Sequence, residues 1–136
     1  MKTRALLALL LSGCAHGPNA WTYVNAPATW ETDAGVIEQS ARDTMRPALP
    51  WGGTVTVYPD RFPCCLGPTG GTCGTCSGQS VGDWAIKVAQ GADALSSALA
   101  WEFCNNILCR DFDCSETRTP ACTLVVTAEA RKRLGR

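Results

Sequence analysis

The stretch "GTVTVYPDRFPCCLGPTGGTCGTCSGQSVGDWAIKVA", residues 53–89, decides the fold class. Its two ends alternate as strands do. Val55 and Val57 share one face while Thr54, Thr56 and Tyr58 share the other, and Trp84, Ile86 and Val88 alternate in the same way. Between them, residues 59–80 hold 22 positions, twelve of them Gly, Pro or Cys. A connection of that length is either functional or held in place by something else. Cys64, Cys65, Cys73 and Cys76 are the obvious staple, and the loop is the first choice for a recognition surface.

Moving outward, residues 92–108 ("ADALSSALAWEFCNNIL") form the strongest helix pattern, with Asp93 near its start and Leu95, Leu99, Phe103 and Ile107 recurring every fourth position. A helix is also expected over 32–46, capped by Thr29 or Thr32 and ended by Pro47, with Ile37, Ala41, Met45 and Ala48 as its apolar stripe. After the cysteine-bound stretch 109–122, "TLVV" (123–126) reads as a short strand, and Thr127 caps a last short helix over 128–134. The expectation is an α+β, small disulfide-rich domain. Its order is helix, strand, long stapled loop, strand, long helix, short strand, short helix.

The N-terminus has the three parts of a secretory signal: Lys2 and Arg4, the apolar run Ala5–Leu11, then Ser12-Gly13. Leu11-Ser12-Gly13-Cys14 resembles the lipobox of bacterial lipoproteins. The resemblance implies a signal peptide over 1–13, a diacylglyceryl group on Cys14, and membrane attachment through that lipid. Ala15 follows the cysteine and no Asp stands there, so the outer membrane or cell surface is favoured. Residues 14–28 then read as lipidated N-terminus and tether, and 29–136 as a single domain.

With Cys14 assigned to lipid, eight cysteines remain: Cys64, Cys65, Cys73, Cys76, Cys104, Cys109, Cys114 and Cys122. An even number in an exported chain of this size is a disulfide framework. Adjacent cysteines rarely bridge each other. If the first four close among themselves, the pairs are 64–73 with 65–76, or 64–76 with 65–73. The last four allow three pairings, and bridges between the groups stay open. Zinc is disfavoured, because ribbons use two separated pairs and Cys64-Cys65 are adjacent.

Charge excludes one class of partner. Removing Lys2 and Arg4 leaves ten basic against twelve acidic residues, and four of the ten (Arg131, Lys132, Arg133, Arg136) lie in the last six positions. The remainder is acidic, which argues against nucleic acid. The basic tail reads as a solvated helix end. The partner expected is an envelope protein or surface ligand, and no cofactor is expected.

Leu99-Ala100-Trp101-Glu102-Phe103-Cys104-Asn105-Asn106-Ile107 resembles the active helix of zincin metallopeptidases, in which two histidines ligate zinc and a glutamate acts as general base. Leu99, Ala100, Glu102, Phe103 and Ile107 match. Trp101 and Asn105 stand at the histidine positions and cannot serve as zinc ligands. The resemblance implies a catalytically dead zincin-like domain, with Trp101 filling the metal cavity. The only histidine, His16, lies beside Cys14, so no histidine-based site can be built in the domain.

Carboxylate chemistry remains, and Glu102, Asp111, Asp113 and Glu116 are its candidates. Glu102 is the alternative catalytic residue of a hydrolase; otherwise it hydrogen-bonds a neighbouring strand or faces solvent. Asp111-Phe-Asp113-Cys-Ser-Glu116 lacks the third spaced acid and turn glycine of a calcium loop. Five tryptophans, at 21, 30, 51, 84 and 101, are read as mainly structural. Trp84 and Trp101 are placed in the core, and Trp21 is the one expected to touch membrane or partner.

Overall fold

In the computed structural model, residues 17–66, 70–111 and 118–136 are described. The elements are β1 (Trp21–Val24), α1 (Ala28–Met45), β2 (Gly53–Tyr58), β3 (Phe62–Leu66), β4 (Thr72–Cys76), β5 (Gly78–Ser80), β6 (Ala85–Ala89), α2 (Leu99–Asp111) and α3 (Arg118–Leu134). One sheet has the order β1-β2-β6-β5, and β3 with β4 forms a separate hairpin. β1, β2 and β6 run parallel, with Trp21 opposite Gly53 and Val55 opposite Ile86, while β5 pairs antiparallel to β6. The class is α+β, as the sequence predicts.

The alternation in β2 and β6 turns Val55, Val57, Ile86 and Val88 to one face, where they meet Ile37 of α1 and Leu99, Phe103 and Ile107 of α2 in one buried cluster. Trp51, fully buried, stands edge-on to Trp21 at 5.6 Å and to Phe103 at 5.0 Å between ring centroids. Its indole N–H donates to Asn106 Oδ1 at 3.0 Å, so the polar end of the ring is satisfied inside the core.

Several expectations are corrected here. Residues 21–24 belong to the sheet and not to a tether: Trp21 packs in the core, and the Tyr23 hydroxyl donates to Glu38 of α1 at 2.9 Å. Two alternating aromatics suffice for an edge strand once β2 offers a partner. Burial and the nearby Glu38 carboxylate also push the Tyr23 hydroxyl pKa upward. Tyr23→Phe should cost about 1 kcal/mol, read from the midpoint of a urea titration.

Helix α1 starts four residues before the expected 32. Pro27 is its N-cap, and Thr32 donates its hydroxyl back to Ala28 O instead of capping. Arg46, at φ 48°, ends the helix ahead of Pro47. Helix α2 starts at Leu99, later than the expected 92. The Asp93 carboxylate takes the Ser96 N–H at 2.8 Å, the Ser97 hydroxyl bonds Ala94 O, and Ser97 Oγ then accepts the Leu99 N–H. Such local side-chain bonds hold the preceding residues in turns.

The strand expected at 123–126 is the middle of α3. Thr119, Cys122, Val126 and Ala130 are its buried residues, a helical spacing, while Leu124 and Val125 point outward. The basic end of α3 is held against α1 and is not simply solvated. Arg133 bridges Asp43 at 2.7 Å and Arg136 bridges Asp33 at 2.6 Å. The tryptophan assignment is also reversed in part. Trp21, Trp30 and Trp51 are buried, whereas Trp84 and Trp101 are 36% and 40% exposed.

Candidate functional site

The loop over 59–80 is built as a hairpin followed by the edge strand β5. β3 and β4 pair with Cys65 opposite Cys73 and Phe62 opposite Cys76. Because successive strand residues face opposite ways, Cys64 and Cys65 send one bridge to each side of the hairpin. Cys64–Cys76 packs on Phe62, with the Tyr58 ring 4.9 Å from that of Phe62. Cys65–Cys73 lies on the exposed side. Of the two pairings left open by the sequence, the nested one is formed.

The helices pack on one face of the sheet, and the hairpin stands beside the other. A cleft of about 380 Å³ lies between them, lined by Pro63, Cys65, Gly74, Gln79, Val81 and Lys87 among others. Among the described residues Lys87 is its one charged lining side chain. The cleft offers hydrogen-bonding groups and, among the described residues, a single cation, so it can hold a ligand.

Glu102 belongs to a second constellation, on α2 against β5. The helix approaches β5 closely because residue 78 is glycine: a Cβ there would stand 2.7 Å from Ala98 Cβ and 3.0 Å from Glu102 Cγ. The carboxylate is 5% exposed and accepts a 3.0 Å bond from the Ser80 hydroxyl. It therefore bonds a neighbouring strand, one of the arrangements the sequence allows. Burial pushes its pKa up to about 7, and the Ser80 bond offsets only part of that.

One turn further along α2, Asn106 accepts from Trp51 and donates to Gly82 O and Asp83 O, each at 3.4 Å. Both buried polar groups on this face of α2 thus have partners. Trp101 and Asn105 turn away from it, exposed and half-buried respectively. Trp101 does not fill an interior cavity, because the position preceding Glu102 on the helix faces outward once Glu102 faces β5.

Cys14, His16, Asp113, Cys114 and Glu116 lie outside the described residues, and Asp111 closes α2. Cys104 of α2 bridges Cys122 of α3, and Cys109 is also disulfide-bonded. Among the described residues no group of three or more His, Cys, Asp or Glu side chains could hold a metal ion. Ser80, Gly78 and Asn106 were not singled out from the sequence. The first two lie in the Gly- and Cys-rich loop, where no periodicity marks an edge strand, and Asn106 reads as an ordinary helical residue until Trp51 is beside it.

No protein-family model, curated protein or solved structure matches the chain. The class rests on its own features, an α+β domain stapled by disulfides. Such bonds persist in oxidising compartments, which places the domain outside the reducing cytoplasm. Among the described residues no helix is long and apolar enough to cross a membrane.

Proposed function

We propose that this chain is an exported lipoprotein, anchored through Cys14, whose domain binds a partner at the cell envelope through the stapled hairpin. The observation that carries the binding role is the pair of nested disulfides, Cys64–Cys76 and Cys65–Cys73, holding β3 and β4 rigid beside the 380 Å³ cleft. Rigid presentation lowers the ordering cost of association. The described lining, polar and with Lys87 as its charge, suits recognition of an acidic or hydrogen-bond-accepting group. A structural part in an envelope assembly would use the same surface.

The anchoring half rests on Leu11-Ser12-Gly13-Cys14 and on the oxidised cysteines, which agree on export. Under this reading the likeness of residues 99–107 to a zincin helix marks a domain without the zinc ligands, a pseudoenzyme. A hydrolase using Glu102 is the second reading, and the specific feature in its favour is the carboxyl pKa of about 7, suited to proton transfer near neutral pH.

A photoreactive residue at Gln79, expressed in the native membrane, should crosslink to one discrete envelope component, and Lys87→Glu should reduce that crosslink several-fold. Loss of anchoring is tested separately: Cys14→Ser should leave a precursor that enters the aqueous phase of a detergent extraction. Absence of any Gln79 adduct above background would remove the hairpin from the reading. A Cys14→Ser protein that still partitions with detergent would remove the lipid.

A further inference from the structure

We propose that one pole of the domain rests directly on the phospholipid surface, with Met45, Leu49, Leu124 and Val125 as its apolar contact. The proposal rests on the lipid anchor at Cys14 and adds to it a defined orientation.

The topology gathers particular chain ends at this pole. β1, β2 and β6 are parallel and begin there, at Trp21, Gly53 and Ala85. α1 returns from β1 to the start of β2, so its C-terminal end (Met45) and the 46–52 connection lie at the same pole. Met45 and Thr44 line a groove of about 320 Å³ with Leu108 near the end of α2 and Arg118, Ala121 and Val125 in the first half of α3. Val125 in its lining is 53% exposed; Leu124, next to it on α3, is 73% exposed, and Leu49, on the 46–52 connection, 55%. These are the three most exposed large apolar side chains among the described residues. Burying such side chains in an acyl boundary is favourable by the same transfer energy that builds a core.

The anchor shows what covers them. Asn19 is tied to this pole: its carbonyl accepts from Arg42 at 3.1 Å, and its Oδ1 accepts the backbone N–H of Trp51 at 3.3 Å. Asn19 is five positions along the chain from Cys14, a reach of at most about 18 Å. The acyl chains cannot be farther than that from the Asn19 corner, so the bilayer must face this pole and not the opposite one, where Val24 ends β1.

Charge adds little. Arg46, Arg110 and Arg118 lie at this pole, but Asp43 and Asp83 lie there too, and Arg110 is already stacked on Trp84 at 4.4 Å. The contact is therefore apolar and insensitive to salt, and zwitterionic lipid is sufficient for it.

The test uses the full mature chain, purified from membranes, with mass spectrometry reading the acyl group on Cys14. It is placed in phosphatidylcholine bicelles doped with a gadolinium-headgroup lipid, and methyl resonances are recorded. The Met45, Leu49, Leu124 and Val125 methyls should broaden several-fold more than those of Val24 and Leu66, unchanged in high salt. Leu124→Asp with Val125→Asp, both on an exposed helical face, should abolish the difference at Met45 and Leu49 while the acyl group keeps the protein in the bicelle. An acylated protein with equal broadening at Val24 overturns the docking and leaves the anchor standing. So does a lipid-independent dimer through this pole, seen by sedimentation. An unacylated Cys14 overturns the anchor reading and the docking with it. Loss of the broadening in high salt would replace apolar contact by charge and overturn the proposal as stated.

Discussion

Replacing Cys104 and Cys122 together by alanine should lower the unfolding free energy by about 3 kcal/mol, and the melting temperature by roughly 10–15 °C. The bridge joins α2 to α3 across 18 positions of sequence, a loop length for which the chain-entropy model gives that magnitude. Both sulfurs lie in the main core with Phe103, Ile107 and Val126, so the alanines also leave unfilled volume and the loss adds to the entropic one. Against a total stability of about 5–15 kcal/mol for an ordinary domain, this is a large fraction. Cys65→Ala with Cys73→Ala should differ. That bridge sits on the exposed side of a hairpin with its own small cluster, so its loss should loosen the hairpin while the Trp51 core melts nearly as before. Calorimetry of the two double variants checks both. A Cys104/Cys122 variant within 1 °C of wild type would mean that α3 is held by its apolar stripe and its bridges to α1 alone.

Glu102→Gln is expected to stabilise the protein by up to about 3 kcal/mol at pH 8 and to change little at pH 4.5. Burial raises the folded-state pKa to about 7 from an ordinary value of 4.5. Between these two values the folded state holds a proton that the unfolded state has released. Wild-type stability therefore falls as pH rises from 4.5 to 7 and levels off above it. A neutral amide imitates the protonated acid, keeps a partner for the Ser80 hydroxyl and has nothing to ionise, so the variant should lose this slope. Urea titrations at pH 4.5, 6 and 8 read the effect. If Glu102→Gln is less stable than wild type at pH 8, the carboxylate has a compensating partner and the burial argument fails. The same variant separates the two functional readings. A domain that only binds gains stability without losing any turnover, whereas a hydrolase loses its activity as it gains stability.

Much of this architecture is legible along the chain. The alternation at 54–58 and 85–88 comes from one buried and one less buried sheet face, which each residue's polarity reports locally. The period-four repeat of Leu99, Phe103 and Ile107 does the same for α2. Composition also carries the oxidised state of the cysteines, since so many in a chain this short most often form a disulfide framework. Glu102 could be singled out, because a carboxylate among apolar helical positions is conspicuous in sequence.

Other features depended on what each segment meets in space. "TLVV" has the composition of a strand, yet it lies within a helix because Cys122 is bridged to Cys104 and Val126 must face the same core. Residues 21–24 carry only two alternating aromatics as a signal, and they form a strand because β2 presents unpaired backbone groups beside them. Trp21 and Trp84 exchanged their expected places for the same reason: an indole's burial is set by the elements packed on it, not by its flanking residues. Likewise the choice of nested bridges follows from the β3–β4 register, which sets Cys65 against Cys73. Local periodicity and composition suffice for the α+β class, the two alternating strands, a helix through residues 99–108 and the presence of a disulfide framework. Which cysteines pair, which tryptophans are core and the desolvation of Glu102 beside Ser80 are settled in three dimensions, because each depends on contacts between residues far apart in the chain.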